Sequence, residues 1–125
     1  MDDKQVMIVD DDPGILFTVE AVLQDAGYQV TACQGGQECL LRLQEGFRGL
    51  ILMDIMMPRM DGWDTIRCIK EEGLLEGNLV CMLTAVAAPG PKMEGLQECV
   101  MDYVTKPFDA QTLVAAVEDC LSFAV

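Results

Sequence analysis

Asp10, Asp11, Asp54, Thr84 and Lys106 are the residues of this 125-residue chain whose types and positions stand out chemically. Four of them end or closely follow a short apolar run, with residues 5–9 running into Asp10-Asp11-Asp12, 50–53 into Asp54 and 78–83 into Thr84, and the strand candidate 101–105 ends at Lys106-Pro107. Were those runs neighbouring strands, the carboxylates would converge, and like charges repel unless a cation sits among them. There is no histidine, and no two cysteines form a C-x-x-C pair, so the donors on offer are oxygens, the ligand set of Mg2+ or a similarly hard ion. A carboxylate so placed can accept a phosphoryl group. Lys106 and the Thr84 hydroxyl would supply charge and a hydrogen bond to the transferring oxygens.

The elements that must position these groups are legible from punctuation and period. Leu50 to Met53 reads as a strand buried on both faces, with Asp54 at its carboxyl end, where open α/β sheets bind their ligands. Pro58 keeps Met57 out of helical geometry, so the chain beyond Asp54 is loop. Asp61-Gly62 opens a helix with Trp63, Ile66 and Ile69 or Lys70 along one side, ending near Gly73. Earlier, Asp12-Pro13 is an N-cap followed by proline at the first helical position, which accounts for Asp12 without a metal role. Ile15, Leu16, Val19, Val22, Leu23 and Ala26 then recur at helical spacing up to Gly27. A second strand, Gln29 to Cys33, is broken by Gly35-Gly36, and Cys39, Leu40 and Leu43 form a helical stripe closed by Gly46. Pro91 opens a short helix reaching about Gln97 or Glu98. Asp109 caps the last helix, with Phe108 and Leu113 as a hydrophobic staple and Leu113, Val117, Cys120 and Leu121 as its buried stripe. Five strands alternating with five helices predict a single α/β domain over residues 1–125: a doubly wound parallel sheet with right-handed crossovers and helices on both faces.

Composition bounds the rest. The length suits one domain with a substantial core, and an apolar fraction of 51% argues against disorder. No apolar run approaches a membrane span and no basic segment leads into an apolar stretch at the N-terminus, so the expected location is the cytoplasm. Twenty-one acids against eight bases leave a net charge of -13, which repels phosphate backbones and anionic lipid; neither nucleic acid nor a membrane is an expected partner of this domain. The six cysteines fall mostly on apolar stripes and read as reduced core thiols. The nine methionines read as packing.

Four segments, in order and at fitting separations, carry a resemblance to the receiver domain of two-component response regulators over nearly the whole chain. They are Ile8-Val9-Asp10-Asp11-Asp12; Leu52 to Pro58 with Met60-Asp61-Gly62; Leu83-Thr84-Ala85; and Asp102-Tyr103-Val104-Thr105-Lys106-Pro107-Phe108. The resemblance implies a flavodoxin-like sheet of order 2-1-3-4-5. It implies that Asp54 is phosphorylated by a histidine kinase or phosphotransfer protein. Asp11 would ligate Mg2+ directly, Asp10 largely through water, and Met56 through its backbone carbonyl, with Asp54 completing the set. Thr84 and Lys106 would sense the phosphoryl group. Tyr103 would turn inward when Thr84 moves, altering the face made by the fourth helix, fifth strand and fifth helix for a downstream target or fused output domain. Val86 and Met56 stand where the family tunes phosphoryl hydrolysis. The sequence permits a dimer through the fourth-helix face and nothing in it requires one.

Two residues depart from the family pattern. Gly49 replaces an acid before the central strand, and Cys99 replaces a glycine that ends the fourth helix, a costly exchange if the backbone there needs positive φ. With Pro89-Gly90-Pro91 leading in, that helix is expected to be short or displaced. Other functions fit less well. Val9-Asp10-Asp11-Asp12 resembles the nucleophile segment of haloacid-dehalogenase phosphatases, with Asp10 attacking, but no cap segment or late acidic pair accompanies it. A receiver-like module that binds without phosphorylation would not need the full set Asp10, Asp11, Asp54, Thr84 and Lys106. A calcium loop fails because Ile15 stands where glycine is needed and Ala21 where glutamate is. A flavin site would need a hydroxyl- and glycine-rich loop after the first strand. The expected product is therefore a switch rather than a turnover enzyme.

Overall fold

A computed structural model describes residues 4–84 and 96–122, without the side chains of Thr84 and Gln97. Within them the order is β1 (Gln5–Val9), α1 (Pro13–Asp25), β2 (Gln29–Cys33), α2 (Gly36–Gln44), β3 (Leu50–Asp54), α3 (Gly62–Glu71), β4 (Leu79–Thr84), a 3-10 turn (Gln97–Cys99), β5 (Asp102–Thr105) and α4 (Ala110–Ser122). The strands form one parallel sheet in the order β2-β1-β3-β4-β5, as expected. Most of the short helix expected from Pro91, with Pro89-Gly90-Pro91, lies outside the described residues. Its expected end is the 3-10 turn Gln97–Cys99.

Alternation along the strands divides the interior into two layers, since successive side chains in a strand point to opposite faces. Met7, Val9, Ile51, Met53, Val80 and Met82 pack with Trp63, Ile66 and Ile69 of α3 and Cys39 and Leu43 of α2. Val6, Ile8, Leu50, Leu52, Cys81, Leu83 and Val104 pack with Leu16, Val19 and Leu23 of α1 and Leu113, Val117, Cys120 and Leu121 of α4. A sheet covered on both faces needs apolar residues at consecutive positions, which is why β1 and β3 read as unbroken runs. Each fully buried Leu, Ile or Val side chain contributes about 1.5–3 kcal/mol. Ile69, not Lys70, takes the inward position on α3. The cysteines are free thiols, and burial pushes Cys33 up to about 12, so it packs as an uncharged hydrophobe.

The two departures have local explanations. A Cβ on Gly49 would lie 2.3 Å from the Gln5 carbonyl oxygen, so the approach of β1 and β3 excludes any side chain there. The Gly49 amide donates to buried Asn78 (Oδ1, 2.9 Å), whose amide donates to the Leu74 carbonyl (2.8 Å), closing the edge opposite the acidic residues. Cys99 is buried and does not have positive φ, so the strain expected of a non-glycine at this position is absent.

Strain lies instead in the β3–α3 loop. Arg59 has φ 69°, the one positive value at a non-glycine among the described residues, and the Met60 amide donates to the Pro58 carbonyl across it at 2.8 Å, a three-residue turn. Three residues on from Arg59, Gly62 packs so closely that a Cβ would sit 2.5 Å from the Asp54 carbonyl oxygen. Substitutions at these two sites should have opposite signs. Arg59→Gly is expected to stabilise the fold by about 1 kcal/mol by relieving the left-handed backbone, and Gly62→Ala to cost about 1–3 kcal/mol by overpacking. Urea denaturation of both variants measures the pair.

Candidate functional site at the carboxyl ends of the strands

Register assembles the acidic rim. Val9 pairs with Met53 across β1 and β3, so Asp10 and Asp54, the next residues on each strand, emerge side by side. Leu83 pairs with both Asp54 and Val104, which carries the backbone of Thr84 and the start of Lys106 to the same edge. Carboxylate oxygens of Asp10, Asp11 and Asp54 come within 4.8 Å of one another. Asp10 and Asp54 are buried, at 1% and 4% exposure, while Asp11 faces solvent. Lys106 reaches back over them: its Nζ donates to Asp10 Oδ2 at 2.7 Å and to Asp54 Oδ1 at 3.2 Å. The other Asp10 oxygen accepts from the Asp12 amide at 2.9 Å. Asp12 itself stands apart, its carboxylate accepting from the Gly14 amide at 2.8 Å as the N-cap of α1.

The electrostatics follow from burial and proximity. Desolvation, then the neighbouring Asp10 charge, holds the Asp54 carboxyl above its ordinary range, and the pull of Lys106 and of the Met56 amide does not cancel them. For Lys106, burial opposes the charge, but the hydrogen bonds and attraction of Asp10 and Asp54 outweigh it and raise its pKa. One ammonium among three carboxylates leaves surplus negative charge. An all-oxygen set of this kind, two buried groups and one open to water, fits a small divalent cation.

The supporting elements are built tightly. α3 begins with a reciprocal capping box: the Asp61 carboxylate accepts from the Asp64 amide (2.8 Å) and Asp64 from the Asp61 amide (3.2 Å). The Gly62 amide donates to the Ile55 carbonyl at 2.9 Å, which ties the start of α3 to the chain just past Asp54. The Lys106–Pro107 peptide bond is cis. Tyr103 is 41% exposed on β5, its ring 6.5 Å from that of Trp63 at 49°. The side chain of Thr84, and all of Val86, lie outside the described residues. Met56 has an exposed side chain two residues past Asp54. The Asp61–Asp64 box and the abutment of Gly62 on Asp54 are absent from the sequence reading. The D-x-x-D spacing was a signal for the first, whereas the second is a requirement for no side chain and leaves none.

Comparison with known proteins places the chain. Residues 6–118 match the model of the response regulator receiver domain. The chain is similar to response regulator Rre1 of Synechocystis sp. (strain ATCC 27184 / PCC 6803 / Kazusa), 32% identical over 94% of this chain and 51% of the relative. It is also similar to the DNA-binding dual master transcriptional regulator RpaA of the same organism, 35% identical over 94% of this chain and 48% of the relative. Among solved structures, a CheY-like receiver domain protein from Methanospirillum hungatei JF-1 superposes with a TM-score of 0.92 at 47% identity, covering 97% of this chain and 96% of that one. The Vibrio cholerae chemotaxis protein CheY4 superposes with a TM-score of 0.84 at 30% identity, covering 93% and 97%. The chain belongs to the receiver domain family of two-component response regulators, and it spans about half the length of the curated relatives it matches.

The ionic arrangement has measurable consequences for stability. Asp54→Asn removes a carboxylate that burial and Asp10 disfavour, and is expected to stabilise the chain by about 0.5–2 kcal/mol at neutral pH without divalent cations. Because the folded chain binds this proton more tightly than the unfolded chain, native stability should fall as pH rises from the ordinary value of 3.8 through the raised one. The Asn variant should lack that fall. Lys106→Met leaves Asp10 and Asp54 uncompensated and is expected to cost about 1–3 kcal/mol at neutral pH, less on acidification. Urea titrations at several pH values measure both.

Proposed function

We propose that Asp54 is a phosphoacceptor and that the domain is a phosphorylation-dependent signalling switch. The observation that carries this reading is the Asp10–Asp11–Asp54 cluster bridged by Lys106 at the carboxyl edge of a receiver fold. The donor would be the phosphohistidine of a histidine kinase or of a phosphotransfer protein. An Asp54 carboxylate oxygen would bond to phosphorus as the phosphorus–nitrogen bond breaks and imidazole leaves. Lys106, already on Asp54 Oδ1, would follow the added charge onto the phosphoryl oxygens. The Thr84 hydroxyl would bond another of them. Asp11, Asp10, Asp54 and the Met56 carbonyl would hold Mg2+, which when bound would neutralise the carboxylates against the incoming phosphoryl oxygens.

The output would be binding rather than turnover: phosphorylation biases two states, with Tyr103 reporting the change on the β5–α4 side. A downstream protein or a fused output domain would read it. Relatives twice the length of this chain, one of them described as a DNA-binding regulator, support a fused partner. The net charge of -13 argues against direct nucleic acid binding by this domain. Among the described residues no helix is long and apolar enough to cross a membrane, which accords with action in the cytoplasm. A dehalogenase-like role for Asp10 as nucleophile is disfavoured because residues 6–118 match the receiver domain family.

Incubation with acetyl phosphate and Mg2+, read by intact mass, tests the reading. One phosphoryl group is expected on the native chain, absent from Asp54→Asn and from samples treated with a chelator. Labelling of Asp54→Asn at the native level would contradict it, and loss confined to Asp10→Asn with steady phosphate release would transfer the role to Asp10.

A further inference from the structure

We propose that the groove between α1 and α4 is a docking site for a basic amphipathic helix of a partner protein, with its charged end away from the Asp54 edge. The proposal does not depend on the reading of Asp54 as phosphoacceptor.

α1 and α4 cover the same face of the sheet and share the layer that holds Leu16, Val19, Leu113 and Val117. Between their outer surfaces runs an open groove of about 590 Å³. Its floor is apolar: Val22 of α1 and Val114 of α4, both half-buried at the margin of that layer, with Ala110 and Ala115 beside them. The α4 wall is regular. Ala110, Val114 and Glu118 form one row at intervals of four residues, and Gln111, Ala115 and Asp119 form the next. Such rows are the ridges between which the side chains of a second helix interdigitate, and small residues among them let its backbone come close.

The rim fixes the sign of the partner. Asp25, Glu118 and Asp119 border the groove, and no Lys or Arg does. Neither helix, each of 13 residues, contains a single basic residue. That is the reverse of what helix ends favour, since cations suit the last turn, where unsatisfied carbonyls carry partial negative charge. α2 and α3 follow the preference with Arg42 and Lys70, whereas α1 ends on Asp25 and α4 carries Glu118 and Asp119 close to its end. Among the described residues none of these three carboxylates is ion-paired. The acids therefore destabilise the domain alone, and a helix bearing Lys or Arg, seated on the valine floor, would turn that penalty into attraction. The charged end is also remote from the acceptor edge. Both helices begin at that edge, capped by Asp12 and Asp109, and at 1.5 Å per residue Asp25 lies about 18 Å along α1 from Pro13. A phosphodonor at Asp54 and a basic helix over Asp25 and Glu118 would not collide there.

The probe is a synthetic peptide helix with Leu and Ala along one face and Lys and Arg along the other, set against a scrambled peptide of the same composition. Amide NMR of the native chain is expected to show shifts confined to α1 and α4. Fluorescence anisotropy at physiological salt should give an affinity about tenfold or more above that of the scrambled peptide. A chain carrying Asp25→Asn, Glu118→Gln and Asp119→Asn together should bind about tenfold more weakly. Ala115→Arg, which puts bulk and positive charge into the groove, should abolish binding. All four positions are exposed, and amide spectra unchanged outside α1 and α4 verify that both variants fold. Asp54→Asn should bind as the native chain does, which separates this result from the acceptor reading. Equal binding of the scrambled peptide, or shifts centred on exposed Glu71 and Glu72, would reduce the effect to net charge and overturn the proposal. Self-association of the native chain in sedimentation that Ala115→Arg abolishes would overturn it too, by making a second copy the occupant.

Discussion

The ammonium of Lys106 lying across two buried carboxylates is the interaction on which the arrangement depends. Asp10 and Asp54 are placed side by side by strand register, not by attraction, and each on its own would be an expensive group to bury. The sheet can hold them there because Lys106 reaches both, at 2.7 and 3.2 Å. The compensation is incomplete: Asp54 stays above the ordinary carboxylate range despite its partner. A site in this condition favours whatever adds positive charge or redistributes negative charge, and the proposed cation binding and phosphoryl transfer would draw on that same imbalance.

The rest of the fold serves to keep this edge open and firm. Helices cover both faces of the sheet, so apolar residues fill β1 and β3 and polar chemistry is confined to where the strands end. The loop after Asp54 is held at its far end by the α3 capping box and by Gly62, and its middle carries the left-handed Arg59. Such strain at a rigidly framed loop is tolerated where geometry matters more than stability. Lys106 directly follows β5, the last strand of the sheet, and reaches back from there to Asp54.

Much of this was legible in the sequence. Apolar runs that stop at Asp10, Asp54 and Thr84, and the strand candidate that ends at Lys106, marked the strands, and caps at Asp12 and Asp109 marked two helices; α1 starts at Pro13, and the Thr112 amide bonds the Asp109 carboxylate at 2.7 Å. Boundaries slipped by a residue where a turn runs into a strand: β4 begins at Leu79 because the Asn78 backbone amide donates to the Leu75 carbonyl at 3.0 Å. What could not be read was register, and with it the distances of the site, because the pairing of Val9 with Met53 is a property of two segments and not of either. The requirement for glycine at positions 49 and 62 was equally hidden, since backbone oxygens lying 2.3 and 2.5 Å from where a Cβ would stand leave no pattern in side chains. The meeting of Trp63 and Tyr103 joins residues that local reading assigns to separate roles, helix core and edge strand.

The central claim is that Asp54 sits in an under-compensated acidic site that a divalent cation relieves. Carboxyl-carbon NMR of the Asp54 side chain, followed through a pH titration with and without Mg2+, tests it most directly. The account predicts titration above the ordinary value of 3.8 in the absence of the ion and a clear fall when Mg2+ is added. An Asp54 that titrates at or below that value and does not respond to Mg2+ would contradict it.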